Sequence, residues 1–78
     1  MLYIEIPFVA ENNRVNKISA EKEIQILNIS EEAKAEVFEA IYHRHPAGVS
    51  FEDKESDQVI LLENLLRKLG IPFRQVKD

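Results

Sequence analysis

The sequence contains no cysteine and no tryptophan, and only two of its 78 residues are glycine. Without cysteine the chain has no disulfide framework, no thiolate nucleophile and no cysteine-ligated zinc site. Gly48 and Gly70 stand far apart and form no phosphate-binding loop. The stability of such a small chain therefore has to come from side-chain packing or from a partner.

Long apolar segments are also lacking. No run approaches the roughly 18 apolar residues of a membrane-spanning helix, and the first residues do not form a basic leader followed by a long apolar segment. The composition, 45% hydrophobic and 31% charged, is typical of a folded globular chain. We expect one domain over residues 1–78, soluble and located in the cytoplasm.

Negative charge is concentrated in the middle of the chain. The formal net charge is −4; residues 31–57 carry eight acidic and three basic residues, and residues 58–78 carry two acidic and four basic residues. An acidic surface repels a phosphate backbone, so this layout favours a basic protein partner over nucleic acid.

The first residues alternate as in a half-buried strand. One face of this strand carries Leu2, Ile4, Ile6 and Phe8. Pro7 cannot donate a ladder hydrogen bond, which predicts an edge strand or a strand with Pro7 on its unpaired side. Asn12 and Asn13 suit a tight turn, and Val15 and Ile18 suggest a return strand.

Residues 22–29 allow two interpretations. Ile24 and Ile26 share one face of an extended chain, and the apolar phase then shifts to Leu27 and Ile29. This pattern predicts a strand that either contains a bulge or is covered on both faces. The alternative is a short helix that begins at Ser19.

A first helix is predicted after Ser30, whose side chain suits an N-cap ahead of Glu31 and Glu32. Its apolar stripe consists of Ala33, Val37, Phe38 and Ile41. Pro46 disfavours helical geometry at the residue before it, so the helix should end near Arg44. Residues 47–56 are interpreted as a turn that brings Val49 and Phe51 into the core.

A second helix follows, with Asp53 or Ser56 as its predicted N-cap. Its core face carries Val59, Leu62, Leu65, Leu66 and Leu69, with Leu61 on the flank. Ile60 lies on the opposite, polar side. Gly70 should cap the helix and Pro72 should block its continuation.

A short final strand over residues 73–76 completes the predicted order β-β-α-α-β. This order is typical of an α+β domain in which two helices pack on one face of a small sheet.

The clearest candidates for chemistry are His43 and His45, which flank Arg44 at the predicted end of the first helix. Two histidines are too few for a metal site, and Glu39, Glu52 and Asp53 are the acids near enough in sequence to add ligands. We interpret the histidines as solvated residues at the helix end. No serine lies in a nucleophile-elbow pattern. We therefore predict a non-enzymatic protein without a metal or cofactor.

The principal functional hypothesis is a protein-interaction module of the inhibitor, immunity, antitoxin or regulatory kind, with a basic partner. The predicted contact residues are Glu31, Glu32, Glu36, Glu39, Tyr42, Glu52, Asp53, Glu55, Asp57 and Ile60. Tyr42 is expected to act as an aromatic anchor. Ile60 is interpreted as an ordinary exposed isoleucine, and the alternative is that a partner or a second copy covers it.

The alternative hypothesis is a dimeric nucleic-acid-binding regulator. Its predicted contacts are Arg44, Arg67, Lys68, Arg74 and Lys77. A second copy would double this small basic patch, which is why the alternative requires a dimer.

Overall fold

The computed structural model describes residues 1–7, 17–42 and 47–77, with only the backbone described at residues 17–19, 47 and 77. The elements are β1 (Leu2–Ile6), α1 (Lys17–Ile26), α2 (Glu31–Tyr42), β2 (Ala47–Phe51), a 3-10 turn (Asp53–Glu55), α3 (Ser56–Leu69) and β3 (Arg74–Lys77). The predicted α+β class is confirmed, and the predicted order is roughly matched.

The three strands form an antiparallel sheet in the order β2-β1-β3. Of the two predicted explanations for Pro7, the edge strand is wrong, because β1 is the central strand of the three. Pro7 follows the last residue of β1, so its missing amide hydrogen falls outside the ladder.

One face of the sheet is buried in the core. Ile4 and Ile6 are completely buried on β1, and Val49 and Phe51 are buried on β2. Ile4 lies opposite Val49 and Leu2 opposite Phe51, so these side chains share a face. The helices complete this core with the buried side chains of Ile24, Ala33, Val37, Ala40, Ile41, Val59, Leu62, Leu65 and Leu66.

The predicted strand over residues 22–29 is wrong, because most of this segment belongs to α1. Ala20 and Ile24, four residues apart, are buried, whereas Ile26 is 78% exposed. The apparent change of phase marks the end of the helix: the amide of Leu27 donates to the carbonyl of Ile24 at 3.2 Å, and Ile29 then enters the core from the following segment. The alternative, a helix beginning near Ser19, is closer to the observed element.

The predicted return strand is wrong at Ile18, the part of it that the structure describes. Ile18 lies within α1. Asn12, Asn13 and Val15 lie outside the described residues.

The predicted start of α2 is confirmed. The hydroxyl oxygen of Ser30 accepts a hydrogen bond from the amide of Ala33 at 3.2 Å, and the Ser30 carbonyl accepts from the amide of Lys34 at 3.0 Å. These bonds satisfy amides that an uncapped helix would leave without an acceptor. The helix is described as far as Tyr42, and the predicted end near Arg44 lies outside the described residues.

The segment predicted as a turn after residue 46 is the strand β2. Val49 and Phe51 enter the core as expected, but as ladder residues opposite β1. Gly48 made the segment resemble a turn in sequence, because glycine is depleted in strands. Here the absence of a side chain is required, since the ring of Tyr3 occupies the place of a Cβ on Gly48.

The start of α3 differs from the prediction in its cap. Neither Asp53 nor Ser56 caps the helix; the 3-10 turn leads into it, and the residue before α3 is Glu55. The amide of Glu52 donates to Oε1 of Glu55 at 2.8 Å, and the amide of Glu55 donates to the Glu52 carbonyl at 2.9 Å. These two bonds fix the chain between β2 and α3.

The end of α3 is as predicted. Gly70 has the positive φ of 72°, its amide donates to the Arg67 carbonyl, and the amide of Ile71 donates to the Leu66 carbonyl. These two hydrogen bonds around a residue in the left-handed conformation form a Schellman cap. The chain then enters β3, which overlaps the predicted final strand.

Candidate interaction surface

Five of the predicted acidic residues meet around one open groove of about 610 Å³. The first half of α2 forms one wall, and the chain from the end of β2 through the 3-10 turn forms the other. The acids are Glu31, Glu32 and Glu36 on α2, with Glu52 and Glu55 opposite. Packing of α2 over β2 brings together acids that are up to 24 positions apart in the sequence.

The groove combines an acidic rim with an apolar floor. Ala33 and Phe51 line it and are 3% and 2% exposed. Two acids of the rim already have a cation nearby: Lys34 lies 3.3 Å from Glu31, and Lys54 lies 3.2 Å from Glu52. Both ion pairs involve well-exposed carboxylates, so neither holds its acid firmly.

Glu36 has a different role from the rest of the rim. Its Oε2 accepts a hydrogen bond from the backbone amide of Ser50 at 3.4 Å. Since this amide bonds to a side chain of α2, we infer that it points away from β1. Glu36 thus reaches the outer edge of β2.

Other predicted contact residues do not line the groove. Glu39 lines another, smaller groove of about 460 Å³ beside α2. Asp53 is 3.1 Å from the amino group of Met1, and Asp57 is exposed on α3. Ile60, also on α3, is 58% exposed. The predicted acidic surface is therefore split, and the groove is its densest part.

Tyr42 is a half-buried residue at the margin of the core. Its ring centroid lies 4.8 Å from that of Phe38, one helical turn earlier on α2. Burial raises the pKa of the Tyr42 hydroxyl, and the negative charge of Glu21 adds to the effect. The ring thus stabilises the packing of α2, which leaves less of it exposed for the predicted role as an anchor.

The basic residues of the alternative hypothesis have acidic or aromatic neighbours. Lys68 lies 2.9 Å from Glu23, and Arg74 lies 3.1 Å from Glu5. The guanidinium of Arg67 donates a hydrogen bond to the side-chain oxygen of Asn64. It also lies over the ring of Phe73, with Cζ 5.3 Å from the ring centroid. For Lys77 only the backbone, in β3, is described, and Arg44 lies outside the described residues.

The candidate histidines, His43 and His45, lie outside the described residues. Within residues 1–7, 17–42 and 47–77, no three histidine or carboxylate side chains come close enough to hold a metal ion. Over the same part of the chain, no helix has the length and hydropathy to cross a membrane.

Sequence reasoning missed the contributions of Ser50, Phe51 and Lys54 to the groove. The signal for Phe51 was present, because it was predicted as a core residue. Ser50 gave no signal, since its amide matters only once β2 is recognised as an edge strand. Comparison with protein-family models, with curated proteins and with solved structures finds no match to this chain.

Proposed function

We propose that this protein is a small non-enzymatic interaction module, of the inhibitor, immunity, antitoxin or regulatory kind, that binds a basic segment of another protein in its acidic groove. The observation that carries the proposal is the convergence of acidic residues from two separate segments on a groove with an apolar floor. A lysine or arginine side chain has the matching chemistry, because its aliphatic stem packs on apolar surface while its charge stays at the rim.

The rest of the charge distribution supports the same kind of partner. The net charge of −4 attracts a basic protein over a distance and raises the association rate at low salt. The alternative of nucleic-acid binding has weaker support, because Glu23 and Glu5 lie beside Lys68 and Arg74 and oppose the approach of a phosphate backbone.

The proposal is tested by capture from a lysate of the host with two charge variants. The first carries Glu32→Gln, Glu36→Gln and Glu52→Gln in the groove. The control carries Glu21→Gln, Glu23→Gln and Glu63→Gln, which remove the same charge outside it. We expect one basic protein to be retained by the parent and the control, to be released by moderate salt, and to be lost with the groove variant.

Two results contradict the proposal. Equal loss of the partner with both variants means that net charge, and not the groove, attracts it. Nucleic acid in the eluate, removed by nuclease and unaffected by the groove variant, favours the alternative binder instead.

A further inference from the structure

The outer edge of β2 offers a second kind of contact beside the acidic groove. β2 is at one end of the strand order, and among residues 1–7, 17–42 and 47–77 no strand pairs with its outer side. The amide of Ser50 points to this side and is held by Glu36 at 3.4 Å. Backbone groups alternate along a strand, so those of Gly48 point to the same side.

We propose that an extended segment carrying lysine or arginine at alternate positions binds as a fourth strand, paired with the outer edge of β2 at Gly48 and Ser50. The inference rests on the proposed function and adds the conformation of the partner to it. Strand addition supplies affinity through main-chain hydrogen bonds, while alternate side chains supply specificity. Glu36 and Glu32 lie on α2 next to this edge, where every second side chain of an added strand would point.

The bond between Glu36 and Ser50 is suited to exchange. Its N···O distance of 3.4 Å exceeds the usual range of an N–H···O bond, up to about 3.2 Å, so it is a weak bond that another acceptor can replace. An added strand would supply a carbonyl to the Ser50 amide and a cation to the released Glu36 carboxylate. Both groups then have stronger partners than before.

Charge decides between a foreign segment and a second copy. Two β2 edges placed side by side would bring the Glu36 carboxylates of both copies, and the acids next to them, into one interface. Like charges across paired strands are destabilising. A basic segment has the complementary charge, so it is the occupant that we propose.

The test uses a capped peptide of about eight residues with alternating lysine and valine, long enough to cover the five residues of β2. A matched peptide carries N-methyl groups on all its internal backbone amides, which removes the hydrogen-bond donors of both its edges and keeps the charge. We expect amide shifts at Gly48 and Ser50 in NMR titration with the first peptide, and at least about tenfold weaker binding of the second.

Two protein variants test the same contact from the other side. Ser50→Pro removes the outward amide and leaves every acid in place, and proline is tolerated on the outward side of an edge strand. Ser50→Ala keeps the amide and is the control. We expect Ser50→Pro to weaken binding at least about tenfold relative to Ser50→Ala. The N-methyl comparison remains decisive if Ser50→Pro does not fold.

The outcomes separate the two proposals. Equal binding of both peptides, still dependent on Glu32, Glu36 and Glu52, overturns strand addition and leaves the acidic groove as a charge-based site. No binding of the peptide at low salt overturns strand addition as well. The proposed function falls only if capture from the lysate also shows no partner that depends on the groove. A dimer in sedimentation that Ser50→Pro dissociates would assign the edge to a second copy.

Discussion

Two neighbouring leucines on α3 differ in what they contribute. Leu62 is completely buried between the helices and the sheet, whereas Leu61 is 36% exposed. We expect Leu62→Ala to lower the free energy of unfolding by ~2–5 kcal/mol, because it removes packed methyl groups and leaves a cavity. Leu61→Ala should cost much less. Urea denaturation of both variants checks this, and equal midpoints would contradict the core assignment.

The burial of Tyr42 predicts a loss of stability at alkaline pH. Its pKa is raised above the ordinary value of 10.0 by burial and by Glu21, so the folded state holds this proton more tightly than the unfolded state. The contribution of this group to the free energy of unfolding is complete below pH 10 and is lost as the pH rises through the higher pKa of the folded state. Thermal melting of the parent should therefore drop more steeply above pH 10 than that of Tyr42→Phe. Parallel curves for the two proteins would argue against the shift.

Single residues were the most predictable level of this protein. Apolar spacing identified Ile4, Ile6, Leu62 and Leu66 as core residues, because burial follows from residue type and period. The segment around Gly48 was predicted as a turn. The need for a glycine there depends on the ring of Tyr3, which lies across the strand pair. That contact is invisible until the register is known.

At the scale of elements, the caps of the helices allow a matched comparison. Ser30 caps α2 through its hydroxyl, whereas Ser56 begins α3 without capping it. We expect Ser30→Ala to cost about 1 kcal/mol and Ser56→Ala to be nearly neutral. Chemical denaturation of the two variants measures the difference. A larger loss for Ser56→Ala would mean that α3 begins elsewhere.

Elements with a strong local signal were predicted, and those that depend on tertiary contacts were not. α2 and α3 have long apolar stripes, and α3 has a glycine cap at Gly70. Among the described side chains of α1, Ala20 and Ile24 are buried and Ile26 is exposed, and its isoleucines matched the period of a strand equally well. β2 is too short and too rich in small residues to stand out from a turn.

For the whole molecule, the exposed isoleucine on α3 tests the oligomeric state. Ile60 is 58% exposed in the single chain. If the protein is a monomer, Ile60→Ser should change the free energy of unfolding by less than about 0.5 kcal/mol. Sedimentation and melting at two protein concentrations check this. A concentration-dependent melting temperature that Ile60→Ser abolishes would show that a second copy covers the residue.

The composition of the acidic groove was predictable, but its assembly was not. Glu31, Glu32, Glu36, Glu52 and Glu55 were all proposed from charge alone, together with acids that lie elsewhere. Their convergence depends on β2 lying under α2, which local patterns do not encode. The acidic neighbours of the basic end were unpredictable for the same reason, since Glu5 and Glu23 approach Arg74 and Lys68 only in the folded chain.

The central position of β1 has a consequence for folding. Its contact with β3 joins Glu5 to Arg74 across 69 positions, and β2 is also far downstream. During synthesis β1 therefore leaves the ribosome before either neighbouring strand, and its apolar face stays unpaired until they follow. Such distant pairing slows folding, because the loop has to close before any strand contact stabilises it. The helices α2 and α3, made of local contacts, can form first and give β1 an apolar surface on which to dock.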